Sequence, residues 1–215
     1  MRPTDAWVNQ YIAPRLTARD KEILQFVHDY RIVTSDQLAR LFWTGRSNAQ
    51  RLCNRRLQSL IELRCLARYY PLAQSGKAYQ HLTLDIAGAK VLGSDKWRKV
   101  SQLPLTFRHQ VLVAEFAIRA KDYNLRGGIP EYALGPVRVD LYYPAMGLAV
   151  EADTGTASHK QLVAKAKRYR RVQVSQVVMV TEGSKDRLQV FLGELGCGVG
   201  AHFEQLDKLL QSITR

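Results

Sequence analysis

Residues 150–169, VEADTGTASHKQLVAKAKRY, decide how the second half of this chain is read. An apolar run carrying two acids, Val150 to Asp153, stops at Thr154-Gly155-Thr156, and a basic segment with helical spacing begins after Ser158. The pattern is strand, turn, helix. Side chains alternate along a strand, so Glu151 and Asp153 share a face. Ser158 is a helix cap by residue type. Within the helix, Leu162, Ala166 and Tyr169 recur at helical spacing and define the inward stripe. Lys165 then lies beside that stripe, while Lys160 and Lys167 point away. An acidic pair running into a basic helix suits metal-dependent phosphodiester chemistry. It also suits an ordinary sheet edge with solvated charges.

Upstream, residues 105–123 read as a helix, IPEYAL as a short strand and VRVDLYY as a strand with Asp140 inside it. PAMG is a turn leading into GLAVEAD. Downstream, SQVVMVTEG is apolar enough for a buried strand, and KDRLQVFLGEL and FEQLDKLLQSI are terminal helices. The order αβββαβ is the core of a restriction-endonuclease-like domain, here 105–215. A tight hairpin at PAMG brings Asp140 near Glu151. Two converging carboxylates are hard oxygen ligands for Mg²⁺ or Mn²⁺. Such an ion polarises a scissile phosphate and lowers the pKa of an attacking water. A lysine is expected two residues after the glutamate, but position 153 is acidic, so Lys165 is the candidate replacement. Asp153 is either a further site residue or the shaper of the turn, where Gly155 relieves the backbone. Glu115 joins the candidate catalytic set because it sits at the margin of an inward stripe (Leu105, Leu112, Phe116, Arg119). A carboxylate there needs a partner, a metal or an arginine such as Arg108. Lys160, Lys167, Arg168, Arg170 and Arg171 read as a phosphate-facing surface.

The first half has a different grammar. LTARDKEILQFVHDYR opens on Thr17 as a cap and places Ile23, Leu24, Val27 and Tyr30 at helical spacing. VTSDQLARLFW repeats the device, with Thr34 or Ser35 as cap and Leu38, Leu41 and Phe42 inward. A third helix, SNAQRLCNRRLQSLIEL, is capped by Ser47 and turns Leu52, Leu57, Leu60 and Ile61 inward. Two strand-like runs flank AQSG as a hairpin, and DIAGAKVLG closes the segment. Three helices and a hairpin make a winged helix-turn-helix domain over 1–92, with residues 93–104 as a polar linker. The fold class is thus α+β followed by α/β. In a winged helix the third helix enters the major groove. It carries Asn48, Gln50, Arg51, Asn54, Arg55 and Gln58, with Arg46 just before it, and Arg64, Arg68 and Lys77 lie on the wing. Arginine suits guanine, and asparagine or glutamine suits adenine. A solvated helix in a dimerisation module is the alternative.

Bulk properties agree with a polyanion partner. Lys and Arg number 32 against 19 Asp and Glu, a formal net charge of +13 in 215 residues that are 46% hydrophobic. Double-stranded DNA is the first candidate and an acidic membrane surface the second. No apolar run approaches the ~18 residues of a spanning helix. MRPTDAWVNQ lacks an apolar signal core, so a cytoplasmic location is expected. Cys53, Cys65 and Cys197, without a CxxC, offer neither a disulfide framework nor a zinc site and are expected to be buried.

The segments LTARDKEILQFVHDYRIVTSDQLARLFW, NAQRLCNRRLQSLIEL, RHQVLVAEF and VEADTGTASHKQLVAKAKRY resemble the replication-relaxation family of plasmids and other mobile elements. The resemblance covers about Leu16 to Tyr169. Its most specific piece is E-x-D-x-G-T followed by a lysine and a tyrosine: Glu151, Asp153, Gly155, Thr156, Lys165 and Tyr169. Asp140 matches the family's strand aspartate, with Val139 where the family often has proline. The resemblance implies a winged helix fused to a restriction-endonuclease-like domain and, in some members, DNA relaxase activity. Three functions follow as expectations. One is a metal-dependent DNA nickase or relaxase of mobilisation or replication. Another is a regulator or accessory protein whose nuclease-like site is inactive. The last is a structural partner of mobilisation or replication proteins. Tyr142, Tyr143 and Tyr169 are all available for a tyrosine adduct, the target sequence is open, and so is the oligomeric state.

Overall fold

Threonine side chains, of Thr4, Thr17 and Thr34, start the first three α-helices of the chain. The computed structural model describes residues 3–69, 80–94 and 106–214, and the chain divides into two compact units, Met1–Val111 and Leu112–Arg215. In the first unit, α1 (Asp5–Tyr11) precedes α2 (Ala18–Tyr30), α3 (Ser35–Phe42) and α4 (Ala49–Glu62). Thr17 and Asp20 exchange hydrogen bonds across the start of α2, and Thr34 and Gln37 do the same for α3. Each box satisfies two otherwise orphaned amides. The start of α4 departs from the expectation. Its cap position is Asn48 rather than Ser47, and the Asn48 side chain makes no capping bond.

Strands β1 (Val33–Thr34), β2 (Leu66–Tyr69) and β3 (His81–Leu84) pair antiparallel in the order β1-β3-β2. Helix α5 (Ile86–Val91) follows under the Asp85 cap. The turn AQSG and Lys77 lie outside the described residues, as does the expected linker from residue 95 onward. Ile23, Leu24, Val27, Leu38, Leu57 and Leu60 are buried, as their spacing requires. Tyr30, Leu41, Phe42, Leu52 and Ile61 are only half-buried. Cys53 and Cys65 are buried free thiols, pushed up to about 12 by burial, whereas Cys197 is exposed, contrary to expectation.

Helix α6 (Phe107–Asp122) crosses the division between the units. The second unit is built on a five-stranded mixed sheet in the order β4-β5-β6-β7-β8. Strands β4 (Ile129–Leu134), β5 (Val137–Tyr143) and β6 (Leu148–Asp153) are antiparallel neighbours. Strands β6, β7 (Gln176–Thr181) and β8 (Val199–His202) run parallel. Parallel neighbours need crossovers, supplied by α7 (His159–Tyr169) and α8 (Lys185–Leu195). The chain ends in α9 (Leu206–Ile213). One core joins Val137, Val139, Ala149, Val177 and Met179 of the sheet to Leu162, Ala166, Tyr169, Phe191 and Leu195 of α7 and α8. Separately, Phe116 of α6 meets Tyr143 of β5 at 6.4 Å between ring centroids. The molecule is a mixed α+β protein. Among the described residues no helix is long and apolar enough to cross a membrane.

Candidate functional site

The position of Asp140 follows from an irregularity in β5. Strict alternation would put Val139 and Tyr143 on one face. Instead Val139 lies in the core under α7 and α8, Tyr143 meets Phe116, and Tyr142 packs against the α7/α8 core. The in–out phase therefore slips by one residue at Asp140, opposite Glu131, whose φ is +52°. Local irregularities of this kind re-aim side chains. Leu141 pairs with Val150, so the next position along that register sets Asp140 opposite Glu151 on the same face.

Glu151 is buried at 3% exposure. The amine of Lys165 bonds its Oε2 and stands 3.7 Å from Asp140 Oδ2. The hydroxyl of Tyr169 donates to Glu151 Oε1. Lys165 and Tyr169 are one helical turn apart, so a single face of α7 delivers both. Asp140 Oδ2 also accepts from the backbone amide of Ala152 at 2.9 Å. Asp140, Glu151 and Lys165 thus converge, with two carboxylates facing one ammonium.

The charges settle accordingly. Burial, then the neighbouring charge of Asp140, pushes Glu151 well above the usual carboxylate range, and Lys165 only partly opposes this. Burial would lower Lys165, but the charges of Glu151 and Asp140 outweigh it, so the ammonium keeps its proton. Burial and the Glu151 charge drive the Tyr169 phenol upward. Tyr169 is therefore a proton-holding donor to a carboxylate. Tyr143 is buried, and Tyr142 is half-buried and stacked on Tyr132.

Asp153 shares the face of Glu151 but goes elsewhere. Arg187 grips it with two bonds, Nε to Oδ2 at 2.6 Å and Nη2 to Oδ1 at 2.8 Å. Thr181 Oγ1 donates to it at 2.7 Å and the Gly155 amide at 3.3 Å. Arg187 also donates to the Ala157 carbonyl at 2.6 Å, which fastens the DTGT turn. At that turn Gly155 has φ +82°. Glu115 is buried and accepts from Arg119 Nε at 2.8 Å. Among the described residues no group of three His, Cys, Asp or Glu side chains is placed to hold a metal. Nothing local in the sequence links Arg187 or Thr181 to Asp153, whereas Tyr169 belongs to the motif that carries the family resemblance.

In the first unit Arg46, Asn48, Gln50, Arg51 and Arg55 are exposed. Among the described residues Arg46, Arg51 and Arg55 have no ion pair. Asn54 is half-buried and accepts from Gln50 at 2.9 Å. Arg68 donates to Gln58 at 3.2 Å, and Arg64 lies 3.5 Å from Asp85. Arg56, the neighbour of Arg55, turns the other way and donates to the buried Asp20 at 2.7 Å. In the second unit Lys160, Lys167, Arg168 and Arg171 are exposed, and Arg170 pairs with Glu194 at 3.2 Å.

The model of the replication-relaxation family matches residues 24–187, a span that takes in α4 as well as Asp140, Glu151, Lys165 and Tyr169. No curated protein and no solved structure matches the chain.

Proposed function

Since the chain belongs to the replication-relaxation family, we propose that it is a cytoplasmic DNA-binding protein of a mobile element or plasmid that nicks or relaxes DNA with Mg²⁺ or Mn²⁺. On this proposal the first unit is a winged helix whose α4 reads duplex DNA, and the second is a restriction-endonuclease-like domain. The observation that carries it is the convergence of Asp140, Glu151 and Lys165 on one face of the sheet. Support for the DNA contact comes from the exposed arginines of α4 and the net charge of +13.

The donor chemistry fits a hard divalent cation. Magnesium sites commonly take one or two carboxylates and leave the other positions to water and substrate phosphate. Asp140 and Glu151 would hold the ion, which supplies polarisation of the phosphate and a more acidic bound water. Tyr169 fixes the orientation of Glu151 through its hydroxyl. The Lys165 side chain keeps 27% of its surface exposed. On this proposal it serves as a preorganised donor to charge developing on phosphate oxygens.

A second role, as a regulator or accessory protein with an inactive site, is favoured by one observation. Both Glu151 oxygens are already bonded, to Lys165 and Tyr169. One assay separates the two: supercoiled plasmid with Mg²⁺ or Mn²⁺, reading nicked circles on a gel. The nickase predicts nicking by wild type, its loss in Glu151→Ala and Lys165→Ala, and its retention in Lys167→Ala, with folding of each variant checked by circular dichroism. Absence of nicking with either metal would leave the regulator. Equal effects of the two lysine substitutions would remove Lys165 from the mechanism.

A further inference from the structure

Asp140 and Glu151 already hold a cation, the ammonium of Lys165. It bonds Glu151 Oε2 and stands 3.7 Å from Asp140 Oδ2. A divalent ion taken by the same two carboxylates would meet that ammonium as a like charge close by. Such repulsion is stronger in a partly buried site than in water. The lysine and a metal therefore compete for one pair of acids.

Both acids are anchored without the lysine. Glu151 Oε1 accepts from the Tyr169 hydroxyl, a neutral donor, and Asp140 Oδ2 accepts from the Ala152 amide at 2.9 Å. These bonds would hold the carboxylates in place if the ammonium withdrew. Lys165 has the means to withdraw. Its side chain is 27% exposed against 4% for Glu151. An ammonium on a four-carbon stem is a rotatable point charge. The next acid along β6 has the opposite kind of partner. Arg187 grips Asp153 through two bonds, with the side chains only 8% and 7% exposed. A planar fork that also bonds the Ala157 carbonyl stays fixed. One strand thus carries a locked ion pair at Asp153 and an exchangeable one at Glu151.

We infer that Lys165 is a resident counter-ion that competes with divalent metal for Asp140 and Glu151, so that the DNA-free chain binds metal weakly. This rests on the two acids being the metal site of the proposed nickase. It gives the occupied Glu151 oxygens a role other than inactivity. The test uses the full chain without DNA and Mn²⁺ alone, with the free ion counted from its electron paramagnetic resonance signal. Wild type should bind weakly. Lys165→Met should bind at least about tenfold tighter, because a like charge is removed from a partly buried site. Lys165→Arg, which keeps the charge, should stay as weak as wild type. Asp140→Asn added to Lys165→Met should remove the gain, which ties it to this pair. Thermal melting shows whether Lys165→Met is folded. If it is not, Lys165→Gln, neutral but still a hydrogen-bond donor, should show the same gain. A donor role toward phosphate predicts lost nicking in the neutral variants but no gain in metal affinity, so the two roles of Lys165 are read separately. Equal and measurable Mn²⁺ affinity in wild type and the neutral variants would overturn the inference and leave Asp140 and Glu151 as a metal site. Absence of binding in every variant would overturn it together with the metal reading.

Discussion

Glu151 and Asp153 are two residues apart on one face of β6, yet they titrate in opposite directions. Burial opposes the charge of both. At Glu151 it prevails, reinforced by the neighbouring Asp140. At Asp153 the hydrogen bonds from Arg187 and Thr181 outweigh it and hold the carboxyl below 3.8. A lowered folded value means that Asp153 binds fewer protons folded than unfolded. Its stabilisation is present above 3.8 and lost as pH falls through the folded value. A raised folded value reverses the sign for Glu151, whose contribution declines as pH rises above 4.5. Urea unfolding from acid to neutral pH should therefore separate two neutral variants. Asp153→Asn should cost about 3–5 kcal/mol near neutrality, the scale of a broken buried ion pair, and progressively less in acid. Glu151→Gln should gain on wild type as pH rises. Parallel pH profiles for the two variants would show that both carboxyls meet the same environment.

At the scale of the element, α4 divides its arginines by face. Arg55 is exposed, while Arg56 grips the Asp20 that also closes the capping box of α2. Arg55→Ala should weaken duplex binding with melting temperature unchanged. Arg56→Ala should lower stability by about 3 kcal/mol, because it strands a buried carboxylate. A gel-shift titration beside a thermal melt distinguishes them, and equal loss of binding at unchanged stability would mean that Arg56 also faces DNA. The elements themselves were largely legible. Capping residues and helical spacing gave α2, α3 and α7 and the inward stripe of Leu162, Ala166 and Tyr169, because those signals are local. Features set by distant parts of the chain were not. The two-residue β1 takes its identity from β3, and β8, preceded by Gly198 and carrying Gly200, from β7. The phase slip that turns Asp140 toward Glu151 interrupts an alternating pattern that looks regular in sequence. Arg187 lies 34 residues from the Asp153 it holds, and spacing alone does not announce such a partner.

For the whole molecule, the net charge of +13 sets how binding responds to salt. Each phosphate neutralised releases condensed counterions, so log affinity falls with log salt at a slope of about 0.9 per contact on duplex and about 0.7 on a single strand. The described residues include two exposed cationic pairs, Arg51 and Arg55 on α4 and Arg168 and Arg171 at and just beyond the end of α7. If the first serves duplex and the second an unpaired strand, their contributions are separable within the intact chain. Arg51→Ala with Arg55→Ala should reduce the duplex slope by about 1.8 and leave the single-strand slope alone. Arg168→Ala with Arg171→Ala should reduce the single-strand slope by about 1.4 and spare the duplex slope. Fluorescence anisotropy over a salt series measures all four values. If each double variant lowered both slopes equally, one undivided basic surface would bind either form of DNA, and the division of labour between α4 and α7 would fall.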